Sequence, residues 1–356
     1  MTRIAQLEPT RVTVGVDTHR DVHVAVALDQ LGRRLGELEL ATTRAGYQRL
    51  LAWAERFGAV EAFGIEGTGC YGAGLARHLR ARKVLVIEVM RPNRQTRRRK
   101  GKSDPTDAEA AARAVLSAEA AGSPKAGDDL VEMIRVLRVA RSTAMKARTQ
   151  AINALRSLLV TAPPELRDEL RALSTSRLVG KAARLRPGPL DSPLTASKLA
   201  LRHLAHRYQA LEAEITSLDT HLAQLTAAAS PRLVEAFGVG ADTAGALLVA
   251  AGDNPERLRS EAAFSMLCGS SPINASSGKT NRHRLNRGGN RQANAALHRI
   301  VLVRMRYHQP TRAYVDRRTS EGKSKREIMR CLKRYVAREV YTALTQPGEQ
   351  KLARAA

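Results

Sequence analysis

Two carboxylates stand three residues apart in the stretch Lys-Ser-Asp-Pro-Thr-Asp-Ala-Glu-Ala, residues 102–110. Pro105 directly follows Asp104, and this order is typical of the first turn of a helix. Residues i and i+3 of a helix share a face, so Asp104 and Asp107 are predicted to point the same way. Such a pair can bind a divalent cation, but it can also do no more than stabilise the start of a helix.

A dense run of cations precedes this pair, reading Arg-Pro-Asn-Arg-Gln-Thr-Arg-Arg-Arg-Lys-Gly-Lys over residues 91–102. A cationic loop beside paired carboxylates suits a metal site that acts on phosphodiesters, because the cations can hold the phosphate backbone. The residues predicted to bind nucleic acid here are Arg94, Arg97, Arg98, Arg99, Lys100 and Lys102.

Composition points to the same kind of partner. The chain of 356 residues has 59 Lys and Arg against 34 Asp and Glu, a formal charge of +25, which predicts a polyanion such as nucleic acid. Aromatic residues are only 3% of the chain, which argues against proteins that read single strands by stacking bases.

The three cysteines form no Cys-x-x-Cys pair, so neither a zinc site nor a disulfide framework is indicated. With no apolar stretch near the roughly 18 residues of a membrane span and no signal peptide, a soluble cytoplasmic protein is expected.

The first 120 residues show an alternation of strand and helix patterns. Strands are predicted at 12–16, 22–28, 36–41, 60–65 and 83–89, and helices at 44–57, 71–82 and from Asp104 onward. This order matches a ribonuclease H-like α/β fold. In that fold Asp17 ends the first strand and Glu66 the fourth, so both are expected beside Asp104 and Asp107. Four carboxylates so close together require cations, Mg²⁺ above all. Each of these residues also has a simpler explanation when it is considered alone: Asp17 can be a turn residue, and Glu66 can bind backbone amides in a loop.

The middle of the chain is predicted to be helical. An arginine-rich helix is expected over 130–160, followed by a connector or loose helical insert at 161–195. A later seam alternates steps of three and four residues, which is typical of a coiled coil: Leu201, Leu204, Tyr208, Leu211, Ile215, Leu218, Leu222 and Leu225. The seam can pair with another protomer or pack within its own domain.

The C-terminal third combines glycine turns with cations. Residues 233–248 read as two helices around Gly-Val-Gly, a helix-hairpin-helix-like element that can contact phosphate or simply form a tight turn. The stretch 270–294 holds Ser276-Ser277-Gly278, and a serine hydroxyl needs a base or a metal to become a nucleophile. Residues that can donate hydrogen bonds to phosphate oxygens follow it: Lys279, Arg282, His283, Arg284, Arg287, Asn290 and Arg291. Two helices are predicted at 295–306 and 323–344, and this last region adds further cations: Arg317, Arg318, Lys323, Lys325, Arg326, Arg330, Lys333 and Arg334.

Three motifs carry a family resemblance: Val-Gly-Val-Asp17, Gly-Ile-Glu66-Gly-Thr-Gly and Lys-Ser-Asp104-Pro-Thr-Asp107-Ala. They resemble the DEDD, RuvC-like domain of bacterial insertion-sequence transposases of the one-ten family, which are relatives of Piv-type invertases and bridge-RNA-guided recombinases. The resemblance implies Mg²⁺-dependent cleavage and exchange of donor and target DNA. It implies that Ser277, rather than its neighbour Ser276, forms a phosphoserine bond with DNA. It also implies a noncoding guide RNA and a working dimer or tetramer, located in the bacterial cytoplasm with the nucleoid.

The expected architecture is therefore α/β followed by all-α. A RuvC-like catalytic domain is predicted at 11–125, a coiled-coil or helical linker at 126–228, and a mainly helical transposase domain with the serine at 229–345. Three other functions stay open on the residues alone. They are a junction endonuclease that uses water, an actin- or sugar-kinase-like ATPase, and a nucleic-acid scaffold without enzymatic activity. The ATPase would carry a second glycine-rich phosphate loop, which the sequence does not show.

Overall fold

A computed structural model of the chain describes residues 10–89, 103–254, 257–279 and 283–345. The chain divides into two compact units. The first comprises Met1–Asp129 together with Ala251–Arg259, and the second comprises Leu130–Ala250 together with Ser260–Ala356. None of the helices within the described ranges has the length and apolar character needed to cross a membrane.

The first unit contains the predicted alternation of strands and helices. Its strands are β1 (Arg11–Thr18), β2 (Val22–Leu28), β3 (Arg34–Ala41), β4 (Ala59–Glu66) and β5 (Val86–Val89). Its helices are α1 (Arg44–Glu55), α2 (Ala73–Arg80) and α3 (Asp104–Leu116). The order of the elements is confirmed, and their ends differ from the predicted ones by a few residues.

The five strands form one sheet in the order β3-β2-β1-β4-β5. The first three strands pair antiparallel, whereas β1 pairs parallel with β4 and β4 pairs parallel with β5. A mixed sheet with this order is consistent with a ribonuclease H-like fold.

Helices cover both faces of the sheet, because side chains along each strand alternate between the faces. Val12, Val14 and Val16 of β1 pack in one cluster with Leu50 of α1 and Leu75 of α2. On the opposite face, the β2 side chains Val26 and Leu28 pack against Ala108 and Ala112 of α3. The odd-numbered residues of β1, which end with Asp17, therefore face α3.

The second unit is mostly helical. Its helices are α4 (Leu130–Val160), α5 (Pro164–Leu170), α6 (Thr175–Ala182), α7 (Pro193–Ala229), α8 (Pro231–Glu235), α9 (Ala241–Ala251), α10 (Glu261–Leu267), α11 (Arg291–Tyr307), α12 (Gln309–Ser320) and α13 (Lys325–Thr345). Two short strands, β6 (Ile273–Asn274) and β7 (His283–Arg284), pair antiparallel between α10 and α11. Helix α12 was not predicted, because the sequence His-Gln-Pro-Thr-Arg at its start resembles an isolated turn. Pro310 in fact occupies its first turn.

Helices α4 and α7 lie antiparallel against each other. Arg141 pairs with Asp219 and Arg148 with Glu212, so residue numbers rise along one helix as they fall along the other. The seam residues Leu201 and Leu222 are fully buried. Of the two alternatives for this seam, the structure shows the one in which α7 packs on a helix of its own chain.

The segment at 161–195 is more ordered than a connector. Helices α5 and α6 bury Leu166, Leu170 and Leu178 in a cluster with Leu155 of α4 and Leu201 of α7. The two prolines at 163 and 164, which suggested a loose linker, instead begin α5. The segment is thus a packed helical insert at one end of the α4 and α7 pair.

Candidate functional site

Asp17 and Glu66 lie beside each other at the ends of neighbouring parallel strands. Gly15 of β1 is paired with Gly64 of β4, and the following residues Val16 and Ile65 are also paired. Continuing this register by one residue places Asp17 next to Glu66. Because side chains two residues apart share a face, both carboxylates lie on the face where the two glycines lie.

Helix α3 crosses this face where the glycines leave room for its backbone. A Cβ atom added to Gly15 would lie 2.0 Å from the carbonyl oxygen of Ala108, and one added to Gly64 would lie 2.8 Å from that of Ala111. Only glycine permits so close a contact. Asp104 and Asp107 stand four residues, about one helical turn, before these two alanines. Because α3 packs against both glycines, its first turn, with these two carboxylates, lies near the ends of β1 and β4.

His19 links two of the acidic residues directly. Its Nε2 atom lies 3.2 Å from Oδ2 of Asp17 and 3.4 Å from Oδ1 of Asp104. One ligand atom from each of these three residues lies within 4.8 Å of the other two. The side chain of Asp17 is 12% exposed and that of Asp104 is 47% exposed, while Asp107 is buried. These three side chains are thus open to solvent on the side where Asp104 lies.

Glu66 and Asp107 are close enough to act on Asp17 through their charge. Burial raises the pKa of Asp17, and the nearby His19 opposes this effect. The carboxylates of Asp104, Asp107 and Glu66 each raise the pKa of Asp17 further. The four acidic residues predicted from sequence therefore form one electrostatic cluster, in which full ionisation is unfavourable without a counter-charge.

This cluster fits a divalent cation. Carboxylate oxygens are the ligands preferred by Mg²⁺ and Mn²⁺, and a positive ion would offset the repulsion that raises the pKa of Asp17. The imidazole of His19 is a further donor that was not among the predicted site residues, because Thr-His-Arg-Asp between the first two strands has the character of a plain turn. The available signal was its position two residues after an aspartate that ends a strand.

The raised pKa of Asp17 has a measurable consequence for stability. The folded protein retains this proton to a higher pH than the unfolded chain does, so the contribution of Asp17 to the free energy of unfolding declines as the pH rises above about 4. In EDTA, Asp17→Asn is therefore expected to gain stability relative to wild type as the pH rises from about 4 to the raised pKa of Asp17, and to keep this gain at higher pH. Urea unfolding at several pH values measures the difference. A difference that is independent of pH would contradict the electrostatic assignment.

Ser277 lies on an exposed hairpin in the second unit. Strands β6 and β7 pair Ile273 with Arg284 and Asn274 with His283, and the serine follows β6 by three residues. Gly278, the next residue, has a φ angle of +55°, a conformation that favours glycine. Both Ser276 and Ser277 are exposed. The hydroxyl of Ser277 is thus accessible to a large ligand such as a duplex.

The base of this hairpin is fixed by asparagine and glycine residues. Asn294 Nδ2 donates to the carbonyl oxygens of Cys268 at 2.8 Å and Gly269 at 3.1 Å, and Lys333 Nζ donates to Asn294 Oδ1 at 2.6 Å. A Cβ on Gly289 would lie 2.3 Å from the backbone nitrogen of Gly269, so the two chain segments touch. These contacts therefore hold together the segments that lead into and out of the hairpin.

The predicted phosphate-binding residues separate into three groups. Lys279, Arg284, Arg287 and Arg291 are exposed around the serine hairpin. A second group lies outside the described residues: Arg94, Arg97, Arg98, Arg99, Lys100, Lys102 and Arg282. Others also make contacts within the protein, and their binding to nucleic acid stays a prediction. The Oδ1 atom of Asn290 caps α11, and Arg334 pairs with Glu261.

Lys333 is another cation of this third group. It is half-buried, and burial lowers its pKa. One of the three hydrogen-bond donors of the Lys333 ammonium group is thus used within the protein, on Asn294.

Two family models match the chain. The model described as DEDD_Tnp_IS110, Transposase, matches residues 14–164, and the model described as Transposase IS116/IS110/IS902 family matches residues 230–316. The chain belongs to the IS110 family of transposases. It is therefore an enzyme that cuts and recombines DNA during transposition of an insertion sequence. The first match contains all four acidic residues of the cluster, and the second contains Ser277. Among curated proteins, none matches this transposase.

Proposed function

We propose that this transposase catalyses Mg²⁺-dependent cleavage and exchange of DNA strands through a covalent bond between Ser277 and DNA. The observation that supports the metal-dependent part is the convergence of Asp17, Glu66, Asp104 and Asp107 at one edge of the sheet. The observation that supports the covalent part is the exposed position of Ser277 on a hairpin whose flanking segments are held together by Asn294.

The acidic cluster is the proposed metal site. Asp17 and Asp104, with His19 beside both, would be the central ligands, and Glu66 and Asp107 would complete the site. A bound Mg²⁺ would polarise the scissile phosphate and stabilise negative charge on the attacking and leaving oxygens. The protein provides the fixed geometry, because α3 and the two strands are held together by the contacts at Gly15 and Gly64.

The covalent step exchanges one ester bond for another. Oγ of Ser277 forms a bond with the phosphorus of the scissile phosphodiester, and the bond between that phosphorus and one deoxyribose oxygen breaks. The hydroxyl proton is lost to a base, and the leaving oxygen gains a proton. Rejoining reverses these events with a hydroxyl of the other DNA strand, so no nucleotide hydrolysis is needed.

The cations around the serine would hold the DNA backbone during this step. Lys279, Arg284, Arg287 and Arg291 are exposed next to the hairpin and can donate to phosphate oxygens without reading sequence. Sequence selection would then come from a noncoding guide RNA that pairs with donor and target DNA. The charge of +25 is compatible with RNA as well as DNA. We further propose that a homo-oligomer, a dimer or tetramer, brings Ser277 of one subunit to the carboxylates of another.

One experiment tests the whole proposal. RNA that copurifies with the transposase would be sequenced, and the complex would then be given supercoiled donor and target DNA with Mg²⁺. Recombinant molecules with defined joints are expected only when the RNA, both DNA substrates and Mg²⁺ are all present. Recombination that is indifferent to RNase treatment would contradict the guide, and cleavage without any joined product would favour a junction endonuclease that uses water.

A further inference from the structure

A short segment from the second half of the chain is built into the unit that carries the acidic cluster. Residues 251–259 lie within the second family match, 230–316, yet they belong to the first compact unit. The side chain of Asn254 accepts a hydrogen bond from the backbone nitrogen of Ala126 and donates one to the carbonyl oxygen of Pro124, both at 3.0 Å. Two stretches that are distant in sequence, around Pro124 and around Asn254, are thus bonded to each other within the first unit.

Arg257 connects this segment to strand β5. Its Nε atom donates to the carbonyl oxygen of Ser123 at 3.3 Å, and its Nη1 atom donates to that of Ala251 at 3.0 Å. Its Nη2 atom lies 3.8 Å from Oε2 of Glu88, and its side chain is only 15% exposed. Three contacts in a largely buried position hold the guanidinium in one orientation, facing Glu88.

Glu88 in turn contacts the loop that follows Glu66. Its Oε1 atom accepts a hydrogen bond of 2.8 Å from Oγ1 of Thr68, a buried residue two positions after Glu66. Gly67 between them has a φ angle of +68°, so the chain turns sharply at this point. On the other side, Oγ1 of Thr18 donates to the carbonyl oxygen of Glu66 at 2.9 Å. The backbone that carries Glu66 is therefore fixed from both sides.

We propose that Arg257, Glu88 and Thr68 act as positioning residues for Glu66, so that a segment of the second family match sets the geometry of the acidic cluster in the first. This inference rests on the proposed metal site. Contacts that fix the backbone at Glu66 are important because they determine where its carboxylate can lie when the ion binds. Glu88 is suited to this function, since it accepts from the threonine with one oxygen and faces the arginine with the other.

The test compares Thr68→Val with Thr68→Ser in the full-length protein. Valine keeps the shape of threonine but cannot donate to Glu88, whereas serine keeps the hydroxyl. Mg²⁺ alone is titrated, and its affinity is measured from the rise in thermal stability. Thr68→Val is expected to weaken Mg²⁺ binding by about 10-fold, the lower end of the range for residues that orient metal ligands, and Thr68→Ser to bind like wild type.

A second variant examines the far end of the chain of contacts. Arg257→Met is expected to weaken Mg²⁺ binding and to speed amide hydrogen exchange over residues 66–72. The matched control is Arg82→Met, which removes an exposed arginine of the same unit that bonds only the carbonyl oxygen of His78 among the contacts described. The double variant Thr68→Val with Arg257→Met should bind Mg²⁺ no more weakly than Thr68→Val alone, because both changes interrupt one path.

The outcomes separate this inference from the proposed function. If Thr68→Val binds Mg²⁺ as tightly as Thr68→Ser, or if Arg257→Met leaves exchange of residues 66–72 unchanged, the positioning function is refuted although the metal site remains. If wild type shows no stabilisation by Mg²⁺, the proposed metal site itself fails. If Thr68→Val does not fold, the Arg257→Met and Arg82→Met pair decides the question.

Discussion

Asp104→Asn is expected to lower the rate of DNA strand cleavage by at least about 10³-fold while leaving DNA affinity unchanged, because a metal ion contributes several kcal/mol to the stabilisation of transition-state charge. Asp104 is one of the two carboxylates that approach His19, and it is the exposed member of that pair. Asparagine has the same shape and preserves the start of α3. The measurements are cleavage of supercoiled substrate and an electrophoretic mobility shift on the same protein.

The control for this variant lies on the same helix. Glu109→Gln also neutralises a carboxylate of α3, but Glu109 pairs with Arg113 rather than with the acidic cluster. It should cleave like wild type. In EDTA, Asp104→Asn should also unfold at a higher temperature than wild type, since it removes one of the charges that raise the pKa of Asp17. Undiminished cleavage by Asp104→Asn would refute the metal site and support a scaffold without catalysis.

Ser277→Ala is expected to abolish the covalent adduct between the protein and DNA. The hydroxyl is the only group that distinguishes the two side chains, and without it no phosphoserine bond can form. Labelled DNA that remains with the denatured protein on a gel measures the adduct. Because Ser277 is exposed, its replacement should leave folding, Mg²⁺ stabilisation and DNA binding unaltered.

The neighbouring serine supplies the matched variant. Ser276 is also exposed on the same hairpin, so Ser276→Ala makes the same chemical change one residue away. It should form the adduct at the wild-type level. Loss of the adduct in Ser276→Ala alone would transfer the nucleophile to that residue, and cleavage by both variants with no adduct would indicate hydrolysis by water.

Much of the secondary structure could be predicted because its determining patterns are local. Strand β2 occurs at the predicted residues, and α4 has its predicted ends at Leu130 and Val160. Alternation and helical periodicity are imposed by a few neighbouring residues, so they are visible in sequence. The motifs Gly15-Val-Asp17 and Gly64-Ile-Glu66 share one spacing. In both motifs a glycine that admits α3 precedes an acidic residue on the same face.

Other features depended on contacts between distant residues. The α7 seam allowed a partner in another subunit or in the same chain, and only packing against α4 distinguished the two. Among the cations of α13, Lys333 bonds Asn294 and Arg334 pairs with Glu261, and neither contact is visible in the sequence. A charged residue has the same appearance in sequence whether it faces solvent or a buried partner.

The order of elements in the first unit, the four acidic residues, the serine candidate and a polyanionic partner could be predicted from the sequence, because these follow from residue type and short-range spacing. Only the tertiary structure placed His19 between Asp17 and Asp104 and brought Arg257 to Glu88. His19 and Asp104 are far apart in the chain, and so are Glu88 and Arg257. No local pattern encodes which distant side chains a packed sheet and its helices will bring within a few ångströms.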